Sequence, residues 1–317
     1  MATPKVLVTS WAVEEGHPEL DRLRALGCEV ENKRRPSHHS EAEMRALIPG
    51  VDAVIAASDI YSAPVLEVAD RLKVIARVGV GYDAIDLNAA TARGVIVSTT
   101  PGANHEAVAD LAFGLILALA RYVPLHDRLV RAGTWERHTG IDVNGKTLGI
   151  LGLGKIGKGM ARRGRGFAMR VIAHDPFWDD EFARANQVER LPLDLVVRAA
   201  DFLTLHLPAS PDTYRVMNAD RLRAMKPSAF LINTARGTLI DEPALDQALR
   251  EKWIAGAALD VFDKEPPWGS AVLERENAIF SPHVAGFSHQ ANEQMIRLAV
   301  DNVVNVLTGR PPLDCVN

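Results

Sequence analysis

The sequence predicts an α/β protein built from two doubly wound parallel-sheet domains. Three observations carry that expectation. Short apolar runs alternate with amphipathic helical patterns, and the alternation pauses once near residue 100 before resuming. A length of 317 residues also suits two domains at roughly 100–200 residues each.

In the first stretch, strands are expected at residues 6–9, 28–30, 52–56, 73–78 and 95–98. The run Ser40-Glu41-Ala42-Glu43 has the form of a capping box and opens a helix that Pro49-Gly50 closes. Another helix runs from Asp86 and stops at Gly94. Residues 99–102 form a joint. The segment 105–122 is too apolar all round for a surface helix, so it belongs in a core, between domains or in a subunit interface. Strands then recur near 147–151, 170–173, 202–205, 230–232, 255–259 and 278–280, and a long helix spans 289–308.

Composition excludes several classes. With 47% hydrophobic and 24% charged residues the chain has material for sizeable cores, which rules out wholesale disorder. A net charge of −4 lacks the basic face of a nucleic-acid or membrane-surface protein, so neither partner is expected. The longest apolar stretch, 107–120, is interrupted by Asp110 and falls short of the ~20 residues of a membrane span. The two cysteines, Cys28 and Cys315, lie far apart without a Cys-x-x-Cys partner, and no apolar leader opens the chain. A soluble, cytoplasmic protein is the expectation. The pair His38-His39 lies among polar residues beside Arg34 and Arg35 and reads as a solvated loop; no metal site is expected.

Gly152-Leu153-Gly154-Lys155-Ile156-Gly157 follows a strand, opens a helix, and is followed by Asp175 at the end of the next strand. The first glycine permits a tight turn, the second lets backbone approach a pyrophosphate, and the third allows close helix–strand packing. Asp175 would accept from the ribose hydroxyls and repel a 2′-phosphate, which favours NAD over NADP. A purely structural glycine turn is the competing reading. Beyond it, the later strands end in His206-Leu207-Pro208, Asn233-Thr234-Ala235-Arg236-Gly237, Asp260 and Ser281-Pro282-His283. Ligands of open parallel sheets bind beyond these carboxyl ends. Arg236 offers a planar fork to a substrate carboxylate, and His283 has the intrinsic pKa to exchange a proton with an alcohol. Glu265, on a proline-rich loop, could orient the imidazole. Taken singly, Arg236 could be a helix cap and His283 a surface residue. A second glycine turn, Val78-Gly79-Val80-Gly81, offers an anion-binding concavity of backbone N–H groups, or only a turn.

On these motifs, together with Arg77-Val78-Gly79-Val80-Gly81-Tyr82-Asp83, Leu259-Asp260-Val261-Phe262 and Glu265-Pro266, the sequence resembles the D-isomer-specific 2-hydroxyacid dehydrogenase family over essentially its whole length. Within the family it is most similar to phosphoglycerate dehydrogenase-like members and hydroxypyruvate/glyoxylate reductases. The resemblance implies an NAD-dependent oxidoreductase acting on the CH–OH group of a small anionic 2-hydroxy acid. Candidates are 3-phosphoglycerate, glycerate (with hydroxypyruvate), glyoxylate or a sulfolactate-like acid. It implies a catalytic triad of Arg236, Glu265 and His283, and substrate contacts from Val78, Gly79, Val80 and Arg236. The cofactor set comprises Gly152, Gly154, Lys155, Ile156, Gly157, Asp175, Leu207, Pro208, Thr234, Ala235, Arg236, Asp260, His283 and Gly286, with Asp260 on the nicotinamide carboxamide. It further implies a Rossmann NAD domain (101–288) inserted into a flavodoxin-like substrate domain (1–100 and 289–317). A homodimer is implied too, with residues 105–135 at its interface and Gly133-Thr134-Trp135 reaching the partner's site. A corepressor-like NAD(H)-sensing protein of the same fold is the alternative.

Two features depart from the family pattern. The chain ends soon after the last helix, so serine feedback through a further domain is not expected. Phe287 stands where relatives usually carry a small residue, which points to a reshaped substrate pocket. Lys33, Arg34, Arg35 and Arg77 are candidates for a phosphate or sulfonate subsite.

Overall fold

In the computed structural model, which describes residues 3–317, parallel strand pairing builds two separate sheets. The chain divides into two compact units, one running up to Asn104 and including Phe287–Asn317, the other spanning His105–Gly286. The α/β class with two doubly wound parallel sheets is what the sequence predicts.

The first unit contains β1 (Lys5–Val8), α1 (Pro18–Ala25), β2 (Glu29–Asn32), α2 (Glu41–Leu47), β3 (Ala53–Ala56), α3 (Ala63–Glu67), β4 (Val74–Arg77), α4 (Leu87–Ala92) and β5 (Ile96–Ser98). Its sheet has the order β2-β1-β3-β4-β5, all parallel. The strands in the middle are nearly all apolar because helices cover both faces. Leu7, Val54, Ile75 and Val97 form one core with the buried Tyr61. The Ser40 capping box is present in full, and Asp86 caps α4. The long helix that ends the chain packs on β3, β4 and α1 of this unit. Residues 315–317 run along β5: Ser98 bridges Cys315, Val316 N–H donates to Val97 O, and the Asn317 side chain bonds Val97 N and Val95 O.

The second unit contains α5 (His105–Ala120), α6 (Val123–Arg131), β6 (Thr147–Leu151), α7 (Lys155–Gly166), β7 (Arg170–His174), α8 (Asp180–Ala185), β8 (Val188–Arg190), α9 (Leu193–Ala199), β9 (Phe202–Leu205), α10 (Ala219–Ala224), β10 (Phe230–Asn233), α11 (Glu242–Arg250), β11 (Gly256–Leu259) and β12 (Ala278–Phe280). The final helix, α12 (His289–Leu307), is capped by Ser288. The order β12-β11-β10-β9-β6-β7-β8 reverses direction between β6 and β9, which is the dinucleotide-binding arrangement of a Rossmann sheet. Alternate residues feed opposite faces. Phe202 and Phe230 stack at 5.4 Å within the core beneath α5 and α7, while Leu203 and Leu231 point into the core shared with α11. Each fully buried Leu or Ile adds about 1.5–3 kcal/mol.

Three expectations are corrected. Strand β8 lies outside the expected set, since Val188-Glu189-Arg190 is short and two-thirds charged at a sheet edge. The apolar helix stops at Ala120, where Tyr122 enters the left-handed region (φ 52°), and α6 follows as a separate element. One face of α5, with Ala112, Phe113 and Ile116, lies in the core and packs on α7. Finally, His39 is buried rather than solvated: its Nδ1 lies 2.9 Å from Asp59 Oδ1, and its backbone N–H donates to the same oxygen.

Candidate active site

The site begins at the reversal point of the seven-stranded sheet. Gly152 follows β6 directly at φ 96°, and a Cβ there would fall 2.5 Å from His206 O. A Cβ on Gly157 would fall 2.0 Å from Gly152 O, so only glycine lets α7 close onto the turn. Gly154, in contrast, faces open space: a Cβ there would meet nothing within 4 Å. It caps α7 without a side-chain hydrogen bond, so the first turn, Lys155 and Ile156 included, presents a helix N-terminus suited to a pyrophosphate.

Asp175 braces this loop. Its carboxylate accepts from Leu153 N (2.6 Å) and Phe177 N (2.7 Å), leaving acceptor capacity for ribose hydroxyls. Across the sheet, His206 Nε2 lies 2.9 Å from the Thr204 hydroxyl, and its buried Nδ1 has no partner among the described residues. Thr234 Oγ1, just beyond β10, is likewise buried without one. Leu207 and Pro208 continue from His206 past the glycine turn. An open helix N-terminus, a braced aspartate and orphaned polar atoms on the same sheet edge fit a bound dinucleotide.

Arg236 is placed by its neighbours. Asn233, fully buried, donates through Nδ2 to Arg236 O (2.8 Å) and accepts from Ala235 N (3.0 Å), which fixes the loop 234–236. Arg236 Nη1 donates to Ala235 O. A Cβ on Gly237 would fall 1.9 Å from the carbonyl carbon of Phe262, so the Arg-Gly pair is required to bring this loop against the backbone that leads to Glu265. Asn233 is visible in the sequence only as part of a motif; its role depends on side-chain geometry that no pattern reveals.

Glu265 Oε2 lies 2.7 Å from His283 Nδ1, and Glu265 Oε1 accepts from Phe262 N. Burial by itself would raise the Glu265 pKa. The His283 hydrogen bond and charge, the Phe262 N–H and the Arg236 charge outweigh it, so the carboxyl lies below its ordinary value. An ionised carboxylate can only accept, so Nδ1 carries the proton and Nε2 is left to exchange one. The imidazole remains 46% exposed.

His283 itself adopts a left-handed backbone, φ 53°, which costs on the order of 1–3 kcal/mol unless its surroundings enforce it. Asp260 does so. Its backbone oxygen accepts from His283 N (2.8 Å), and its fully buried carboxylate accepts from Ser281 Oγ, Val284 N and Ala285 N. Burial raises the Asp260 pKa, opposed by those three donors and the His283 charge. Gly286 follows directly after the buried Ala285.

In the first unit the glycine turn is narrower than expected as an anion site. Val78 N donates to Ala56 O and Gly79 N to Thr100 Oγ1, so two of the three backbone donors are committed to holding the turn. Arg77 braces it from below, with Nε on Gly81 O (2.7 Å). The other basic candidates are engaged as well: Lys33 with Glu31, Arg34 with Trp11 O, and Arg35 bidentately with Glu43.

This sheet-edge constellation is that of a nucleotide-dependent oxidoreductase, and comparison with known proteins gives the class its name. Residues 113–285 match the family model described as D-isomer specific 2-hydroxyacid dehydrogenase, NAD binding domain. A glyoxylate reductase of Korarchaeum cryptofilum is 38% identical over 99% of this chain and 96% of its own. A D-3-phosphoglycerate dehydrogenase of Archaeoglobus fulgidus is 37% identical over 99% of this chain but only 59% of its own. Among solved structures, the TT0316 protein of Thermus thermophilus superposes with a TM-score of 0.91 at 40% identity, covering 99% of this chain and all of that one. The chain belongs to the D-isomer specific 2-hydroxyacid dehydrogenase family. It is an NAD-dependent oxidoreductase acting on the CH–OH group of 2-hydroxy acids.

Proposed function

We propose that the protein interconverts a compact 2-oxo acid, glyoxylate or hydroxypyruvate, with its D-configured 2-hydroxy acid, using NADH or NAD as the hydride carrier. Arg236 holds the substrate carboxylate as a bidentate fork. His283 Nε2 gives its proton to the carbonyl oxygen in reduction and takes it back in oxidation. Glu265 holds the tautomer and stabilises the imidazolium that forms in oxidation. NAD, when bound, supplies the hydride acceptor for the substrate C2. Residues 152–157 would hold its phosphates and Asp175 its ribose; Leu207, Pro208, Thr234, Ala235, Asp260 and Gly286 line the rest.

The observation that carries this reading is the His283–Glu265 pair at 2.7 Å with its carboxylate held ionised. The compact substrate is favoured because Lys33, Arg34, Arg35 and Arg77 already bond groups of the protein. We further propose a homodimer formed through residues 105–135, in which 123–135 supply exposed apolar side chains, and a cytoplasmic location in keeping with two free thiols.

The test is a panel of glyoxylate, hydroxypyruvate, phosphohydroxypyruvate and sulfopyruvate with NADH, run on the wild type and His283→Ala. We expect turnover of one of the first two, with kcat lowered about 10²–10⁴-fold in the variant. Near-wild-type turnover by His283→Ala on every active substrate would overturn the acid/base assignment.

A further inference from the structure

β11 and β12 pair in parallel with Leu259 opposite Phe280, so Asp260 and Ser281 leave the sheet side by side at its carboxyl edge. Asp260 stands between the two loops that carry the proposed chemistry. Its backbone N–H donates to Asn233 O (2.9 Å), and Asn233 Nδ2 in turn holds Arg236 O. On the other side, residues 281–285 wrap its carboxylate.

The donors of that wrap have a gap. Val284 N reaches Asp260 Oδ1 and Ala285 N reaches Oδ2, both at 2.9 Å, while His283 N is committed to Asp260 O. Pro282 has no N–H to give. The Ser281 hydroxyl makes up the difference. It donates to Asp260 Oδ1 at 2.5 Å and is the one side-chain donor to this carboxylate among the described residues. So short an O–H···O contact is the geometry of a charge-assisted bond to an ionised acceptor. Asp260 is fully buried, which disfavours the ionised form, and the Ser281 bond is the largest of the contacts that oppose that effect.

Two properties of His283 depend on Asp260 being a carboxylate. Only the ionised group accepts all three bonds, and these hold the turn in which His283 takes its left-handed backbone. Its charge also acts on the imidazole. The charged groups facing that ring are Glu265, at 2.7 Å, and Asp260, with Arg236 acting on Glu265 from the neighbouring loop. We propose that Ser281 is a positioning residue for the reaction: its hydroxyl locks the Asp260 carboxylate, which in turn fixes the turn that presents His283 and lends the imidazole negative charge. The inference rests on the acid/base reading of His283 and adds a residue that serves it without touching substrate.

The experiment measures reduction of glyoxylate and hydroxypyruvate with NADH from about pH 5 to 9 in the wild type, Ser281→Ala, Ser281→Cys and Ser281→Thr, with kcat expressed per NADH-binding site titrated by fluorescence. Reduction needs the protonated imidazole, so activity falls as pH rises through its titration. Loosening the nearby anion disfavours that protonated form. In Ser281→Ala the limb should move to lower pH by about half a unit or more, and kcat should fall about tenfold or more. Ser281→Thr keeps the hydroxyl and should recover most of both. Ser281→Cys, similar in shape but a weaker donor, should fall between them, and it carries the expectation if the alanine variant does not fold. An unmoved limb in the alanine and cysteine variants overturns the positioning role, whether or not kcat falls, because a serine that only packs would lower kcat without moving the limb. A wild type inactive on both acids, or turnover that survives His283→Ala, removes the acid/base reading and the role of Ser281 with it.

Discussion

His206 stands immediately beyond β9 with one nitrogen on the Thr204 hydroxyl and the other buried without a partner among the described residues. Burial pushes its pKa down to about 3. Between that value and the ordinary 6.5 of an unfolded chain, the unfolded state binds the extra proton, so stability rises with pH across the window and is lost as pH falls. The group should cost the cofactor-free protein about 2 kcal/mol between about pH 7.5 and 5. Urea titrations at the two pH values should show that loss in the wild type and a smaller one in His206→Asn. Equal losses would mean that this imidazole does not report acid stress. Arg236, Glu265 and His283 are legible in the sequence because each belongs to a distinctive local pattern. That Asp260 wraps the His283 loop with three acceptor bonds, or that Asp59 draws His39 inward, is not legible, since both depend on partners about twenty residues away.

At the scale of elements, the interior strands are the most readable, because parallel strands buried on both faces are written as continuous apolar runs. β8 carries only one apolar residue, and the boundary between α5 and α6 hangs on a single left-handed tyrosine, so neither leaves a clear mark in the sequence. The glycine turns show a further distinction invisible in letters alone: some glycines serve a bend, others serve close approach. Gly237 is of the second kind, with no positive φ and a carbonyl carbon where its Cβ would be. Gly237→Ala must separate the Arg236 loop from residues 262–263. We expect a loss of about 1–3 kcal/mol in stability and at least a tenfold fall in kcat/KM. Gly16→Ala, which meets nothing within 4 Å, is the control and should match the wild type in both urea denaturation and steady-state kinetics.

For the whole molecule, α6 and the segment after it, in contrast to the largely buried α5, expose several apolar side chains close together. None of α6 is buried, Val123 and Val130 are more than half exposed, and Trp135 is 79% exposed. Apolar surface of this extent within one short stretch of chain is characteristic of an interface. Light scattering should give twice the chain mass of 34.5 kDa, and Val130→Asp should shift the population toward monomer; a wild-type monomer at micromolar concentration would remove the dimer. The flanks of the two sheets face a related hazard, since unpaired strand edges recruit foreign strands. β2 and β8 answer it with charge, carrying Glu29 and Glu31, and Glu189 and Arg190. β5 has no such charges and depends on residues 315–317, whose backbone and Asn317 amide occupy its hydrogen-bonding groups. Residues 315–317 thus shield that edge from a foreign strand, and a variant in which they are replaced by glycines should scatter more light on storage at equal kcat/KM, an unchanged scattering trace removing the protective role.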